Sequence, residues 1–429
     1  LLPGGPWALI LTENGLLASN MDGSGLTQIT NEEVFIPDFA SEMVSPSGGL
    51  VAYVYSTDPV RYSHLTIKIY DLPSGEIRRL IPLTTAQTEP GQEMLPGDDY
   101  SPWEASGEFA WSPDGMLLAF TGLIEGPTSD LYVYSVASDE VTRLTDGPSQ
   151  AYNLHWSPDS KYILHYGVDS FGTGAGYSMA GAWVSNTDGS QVPLLYMPES
   201  GDEIVYGWLS PLMFVVGSWN ARCGTHNLRT VNIETKDTAP IFDYCFDSAA
   251  VDPGTGNSLV TVTESVIDWC DCGTADIEQA GVYLIPLIEK TLHNLHPADA
   301  YKAEWKEEAK LFRVADSFGQ ILAFRSNGEM VQIPSEVASL FPIKAPSSDQ
   351  WAWCSAGLDT VPGLWIGTLQ EQPRRVFKDP VLSIQWGLDG EMLLFSSWED
   401  LFVAHAPGFE PVLVTELPVY LLDITMVRP

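Results

Sequence analysis

Basic side chains are what this chain has least of. Twenty Lys and Arg stand against 56 Asp and Glu in 429 residues, which leaves a formal net charge of −36. A surface of that sign repels the phosphates of nucleic acids and anionic lipid headgroups, and no local basic run offsets it, so neither is expected as a partner. Cations, cationic partners and neutral glycans remain, and solubility in an external medium accounts for the same charge. No run of 18 apolar residues occurs, so no helix-spanning segment is expected and the chain does not insert into a membrane. It begins at Leu1 rather than Met, and residues 1–6 read as the end of a linker. That start suggests a signal peptide or anchor upstream of Leu1.

Other scarcities narrow the chemistry. Helical periodicity does not persist over any long stretch. The Gly-x-Ser-x-Gly elbow of serine hydrolases is missing, since Ser178 in Gly176-Tyr177-Ser178-Met179-Ala180-Gly181 is off the spacing by one residue. Gly172-Thr173-Gly174-Ala175-Gly176 has neither the Lys nor the strand-to-helix setting of a phosphate loop, and reads as a loop. Seven histidines are dispersed. His293 and His296 fall where strand geometry keeps them from sharing a face, and zinc needs three or four converging ligands. His155, just before Trp156 on a predicted inner strand, reads either as packed or as lining a channel.

What the chain does have is a phrase that recurs every 40 to 50 residues or so, the mark of one supersecondary unit used many times. The clearest copies run from Phe109 to Phe120, around Trp111-Ser112-Pro113-Asp114-Gly115, and from Leu154 to Leu164, around Trp156-Ser157-Pro158-Asp159-Ser160. Weaker ones lie at Met43–Tyr53 and Ile384–Phe395. With 37 Gly, 31 Pro and 11% aromatics, the composition suits short strands and tight turns. Each unit reads as four strands, with Asp22-Gly23, Ser74-Gly75, Asp188-Gly189 and Asn327-Gly328 between the third and fourth. Units fall near 34–84, 105–147, 150–198, 202–243, 245–295, 300–337, 341–378 and 380–416. The strands 7–12, 15–20 and 26–30 combine with 419–427 into a ninth. The prediction is an all-β fold, a single closed β-propeller over 1–429 with eight or nine four-stranded blades, nine by count, closed by pairing its two end segments, which leaves no sheet edge open.

At these residues the sequence resembles the TolB-type, WD40-like (PD40) propeller repeats, also found in the propellers of prolyl oligopeptidase relatives. Trp111–Gly115 matches the hallmark aromatic-Ser-Pro-Asp-Gly turn in full, Trp156–Ser160 nearly so, and Ser45-Pro46-Ser47-Gly48 in part. Trp208-Leu209-Ser210-Pro211, Val251-Asp252-Pro253-Gly254 and Trp386-Gly387-Leu388-Asp389-Gly390 are decayed versions. The resemblance implies a propeller and says little of function, because Pro sets φ, Asp takes backbone N–H groups, Gly turns left-handed and Trp packs between sheets. Asp114, Asp159 and Asp389 are therefore read as structural. The family includes envelope-complex parts and subunits that gate peptidases.

Function is expected on the connections that leave one face of the blades: 56–64, 121–130, 167–181, 217–227, 264–280 and 85–104. They carry the aromatic candidates Tyr100, Trp103, Tyr177, Trp219 and Trp269. They also carry carboxylates, of which Asp98, Asp99, Asp268 and Asp271 are the candidates for a hard cation such as calcium, though EF-hand spacing is absent. Cys223, Cys245, Cys270 and Cys272 are expected to meet at one blade boundary and form two disulfides, with Cys270 and Cys272 each reaching Cys223 or Cys245. A cysteine-ligated metal site is the alternative. Cys354 is expected to be buried and free.

These readings place the chain outside the cytoplasm, secreted, periplasmic or at the cell surface. The expected role is a non-catalytic module that recognises a protein or glycan partner. Two alternatives stand beside it: a self-assembling subunit of a surface layer or filament, and a carboxylate-dependent hydrolase or lyase with calcium.

Overall fold

The computed structural model describes residues 1, 4–34, 37, 39–58, 63–84, 107–126, 128–172, 176–190, 194–196, 202–220, 224–270, 277–306, 309–316, 320–333, 337, 343–357, 361–369, 371–387, 389–416 and 420–427. The fold is a nine-bladed β-propeller, nearly all β. The chain divides into two compact units, residues 1–197 with 380–429, and residues 198–379.

In the first unit the chain ends share a sheet, ordered Thr27–Thr30, Gly15–Asn20, Trp7–Thr12, Leu421–Val427. Trp7 lies opposite Val427 and Ile10 opposite Ile424. The edge that Trp7–Thr12 would expose is thus filled by the last strand, as the closure argument requires. Four-stranded sheets at 109–143, 150–196 and 383–416 and a three-stranded sheet at 50–82 complete this unit. The second unit has four sheets, at 202–245, 248–296, 300–331 and 343–377, so both of the weakest repeats are blades.

The recurring turn shows why the phrase is kept. Ser112 Oγ accepts from Leu117 N at 2.9 Å and donates to Asp114 Oδ1 at 2.7 Å, and Asp114 also accepts from Met116 N. Ser157 and Asp159 repeat this with Tyr162 N and Lys161 N. Each indole then ties its sheet to a neighbouring segment: Trp111 Nε1 donates to Met43 O and Trp156 Nε1 to Ala110 O, both at 2.9 Å. Asp114 and Asp159 thus hold the turns they belong to.

Two local expectations are corrected. Among the described residues the 50–82 sheet has no strand at its first position; a helical turn, Ala40–Met43, stands there instead, followed by a single bridge from Val44 to Val51. Two features hold it: Ala40 and Met43 bury their side chains at helical spacing, and Asp423 Oδ2, distant in sequence, accepts Ala40 N, removing a donor that strand pairing would use. The connections read as long loops at 56–64, 167–181 and 217–227 are mostly hairpin arms. Strands Tyr162–Gly172 and Gly176–Asn186 pair through to Gly172 opposite Gly176, and Met213–Asn220 pairs with Gly224–Asn232. Glycine and small polar residues that suggest a loop here sit in extended, cross-strand pairs.

Candidate functional site

The predicted binding residue whose side chain is described is Trp219. It ends the strand Met213–Asn220 opposite Asp202 and is 42% exposed. Its neighbour Ser218 points to the other side of the sheet, where a buried charge pair lies. Arg229 Nη2 donates to Glu203 Oε1 at 2.5 Å, and Ser218 Oγ donates to the same oxygen at 3.3 Å. Arg229 Nη1 in turn donates to Ser218 Oγ at 2.9 Å and to Asn227 O at 3.1 Å. Glu203 is fully buried, and among the described residues its Oε2 has no hydrogen-bond partner. Burial raises the Glu203 carboxyl above its ordinary range, against the pull of Arg229. Such a pair adds little net stability, yet removing one partner costs about 3–5 kcal/mol, because a buried charge is left alone. The exposed Trp219 and the buried pair occupy opposite faces and do not make one site.

Beside this blade, the expected cysteine meeting is shown in one bond. Cys245, at the end of strand Thr238–Cys245, is joined to Cys270 with a Cα–Cα distance of 6.0 Å. Cys270 caps the helix Glu264–Trp269, which crosses the predicted loop 264–280. The helix is also held at its start: Asp247 accepts Thr263 N at 2.7 Å and Thr263 Oγ1 at 3.2 Å, and Asp299 accepts Glu264 N at 3.0 Å. Burial raises the Asp247 carboxyl. Cys223 and Cys272, the members of the second expected disulfide, lie outside the described residues. Cys354 is free but half-buried rather than buried, and burial pushes its thiol up to about 11.

The remaining expected site residues are dispersed. Tyr100, Trp103, Asp98, Asp99 and Asp271 lie outside the described residues, as do the side chains of Tyr177 and Trp269. Asp268 is exposed on the helix. Among the described residues no group of three His, Cys, Asp or Glu is placed to hold a metal ion.

His165 Nε2 lies 3.1 Å from Ser185 Oγ, the spacing of a base and its nucleophile, but both side chains are sealed in the 150–196 sheet and Nδ1 faces Tyr166 O at 3.4 Å instead of a carboxylate. Burial lowers His165 to about 4. His155, partly buried, is likewise lowered by burial to about 4. The buried acids of this unit are structural. Asp130 accepts from Arg143 Nη2 at 2.6 Å, Thr145 Oγ1 at 3.1 Å and Gly147 N at 2.9 Å. Glu108 takes Asn153 N and Leu154 N, both at 2.7 Å.

Sequence reading missed an aromatic corner in the first unit. Trp398 and Tyr420 stand edge to face, ring centroids 6.3 Å apart and planes at 83°. Both are nearly half exposed, and Leu422 beside them is 52% exposed. Backbone bonds assemble the corner: Leu421 N donates to Trp398 O at 3.0 Å, and Glu13 N to Tyr420 O at 3.2 Å. Its components come from a short turn after Met392–Ser396, the last strand and the turn after Trp7–Thr12, and none carried a local signal. Only the one exposed apolar residue of the final strand, Leu422, with exposed Tyr420 just before it, points to it.

No family model matches the chain. In sequence it is similar to the protein named Uncharacterized peptidase YuxL of Bacillus subtilis (strain 168), 44% identical over 54 residues, 13% of this chain and 8% of that protein. It is also similar to Dipeptidyl-peptidase 5 of Porphyromonas gingivalis, 28% identical over 95 residues, 19% of this chain and 14% of that protein. The chain thus spans a small fraction of the length of the curated relatives it matches. In structure it is similar to a crystal structure of the eukaryotic initiation factor, with TM-score 0.57 and 13% identity over 98% of both chains, a likeness of fold alone.

These comparisons correct the expected role. A non-catalytic module for a protein or glycan partner is overturned, because the two sequence relatives are both named as peptidases. The propeller reading itself stands.

Proposed function

We propose that the chain is a peptidase-type propeller with TolB-like (PD40) repeats, which binds peptide for a peptidase. The observation that carries this reading is the peptidase name of two sequence relatives from different organisms. The full match of Trp111–Gly115 to the repeat hallmark supports the repeat class. The Cys245–Cys270 bond supports an oxidising, extracytoplasmic compartment.

The test is peptide binding by the intact chain, read as fluorescence anisotropy of labelled peptides of mixed sequence. Saturable binding that unlabelled peptide displaces and oligosaccharide does not is the expected result. Absence of saturable peptide binding overturns the reading.

A further inference from the structure

We propose that Trp398, Tyr420 and Leu422 form a subsite for a peptide that carries Arg or Lys next to an apolar residue; this rests on the peptidase-type reading and names the peptide class. Both rings are nearly half exposed, and accessible aromatic faces attract guanidinium and ammonium groups. Leu422, 52% exposed, offers the apolar contact alongside.

Charge selects the occupant. Exposed Glu13 and Glu399 flank the two rings in sequence and through the Glu13 N to Tyr420 O bond. The segments 12–15, 396–401 and 420–423 contain no Lys or Arg. No described cation pairs with either glutamate. The neighbouring acids are engaged differently: Asp400 accepts from Ser397 Oγ at 3.2 Å, and Asp423 from Ser383 Oγ at 2.8 Å and Ala40 N at 3.0 Å. Glu13 and Glu399 are left to meet a ligand. A second copy of this chain would bring the same acids to the same place, and like charges in apposition disfavour it. Anionic membrane is repelled for the same reason.

The corner is also preorganised. Its three segments are fixed by backbone hydrogen bonds, so little ordering cost falls on binding.

The probes are a fluorescein-labelled hexapeptide with a central Arg-Leu, the same peptide with citrulline in place of Arg, and a neutral peptide of equal length. Wild type is expected to bind the Arg peptide about tenfold more tightly than the citrulline peptide. Trp398→Ala and Tyr420→Ala are each expected to weaken the Arg peptide about fivefold or more, in line with a cation–π contact of about 1 kcal/mol. Glu13→Gln with Glu399→Gln should weaken the Arg peptide alone and flatten its salt dependence. Thermal midpoints of these surface variants, with Trp398→Phe beside them, check that the fold is kept. If folded Trp398→Ala binds the Arg peptide like wild type, the subsite falls while peptide binding, and with it the peptidase-type reading, stands. If wild type binds no peptide at all, both fall. Displacement of the Arg peptide by an oligosaccharide overturns the cationic assignment.

Discussion

A single glycine shows how tightly the repeat phrase is constrained. Gly115 has φ +69°, and a Cβ there would sit 2.2 Å from Ser47 N and 2.6 Å from Ser45 Oγ. Its carbonyl accepts from both Ser45 Oγ and Ser47 Oγ, so the turn of one sheet is docked on the turn before it. The second copy places Ser160 at the equivalent point with φ +60°, and there the hydroxyl accepts from Asp114 N at 3.2 Å. The same left-handed turn thus tolerates a side chain only where the neighbour leaves room. Gly115→Ala is expected to lose about 3 kcal/mol, from the backbone overlap added to left-handed strain. Ser160→Gly is expected to stay within about 1 kcal/mol of wild type, since it trades one hydrogen bond for relief of that strain. Urea unfolding of the two variants checks this, and equal losses would show that docking on Ser47 is not what selects glycine.

At the scale of elements, legibility followed periodicity. Strand closure by the chain ends, the turns at Gly23, Gly75, Gly189 and Gly328, and the meeting of Cys245 with Cys270 were all readable, because each depends on local turn chemistry or on counting units. The helical turn Ala40–Met43 was not, because what selects it is Asp423, far away in sequence. The Glu203–Arg229 pair and the Trp398–Tyr420 corner were hidden for the same reason: their partners come from separate strands or turns with no local motif. Helix Glu264–Trp269 lies between these cases, since Thr263 gives it a readable cap whereas Asp247, Asp299 and Cys245 hold it from outside. Cutting the bond tests how the hold is shared. The bridge closes a loop with a sequence separation of 25, for which chain entropy predicts about 3.5 kcal/mol. Cys270→Ser is expected to lose roughly that much. Amide exchange should quicken in 264–270 while strands Thr238–Cys245 and Ser258–Val262 keep their protection, because Asp247 still pins the helix start. Loss of protection throughout those strands would show that the bond supports the whole blade.

For the whole molecule the governing variable is pH. A net charge of −36 repels itself, and the carboxyls of buried Glu203 and of partly buried Glu108 and Asp247 are raised by desolvation. Both effects favour the folded state as pH falls, since protons bind more readily to those carboxyls in the folded chain. His155 and His165 act in the opposite sense. Each is lowered by burial from 6.5 to about 4. The unfolded chain then takes up a proton below pH 6.5 that the folded chain refuses until about pH 4, so stability is lost across that window. Between pH 7.5 and 5.0 the linkage amounts to about 2 kcal/mol per histidine. The carboxyl groups respond mainly nearer their own range, so the histidines dominate the upper part of the window. Wild type is expected to be less stable to denaturant at pH 5.0 than at pH 7.5. His165→Gln, which keeps a donor for Ser185 but cannot titrate, should remove about 2 kcal/mol of that loss. The difference between variant and wild type isolates the histidine from the opposing acids, whatever their size. An identical pH dependence in the two proteins would mean that His165 opens to solvent and takes up its proton in the folded chain.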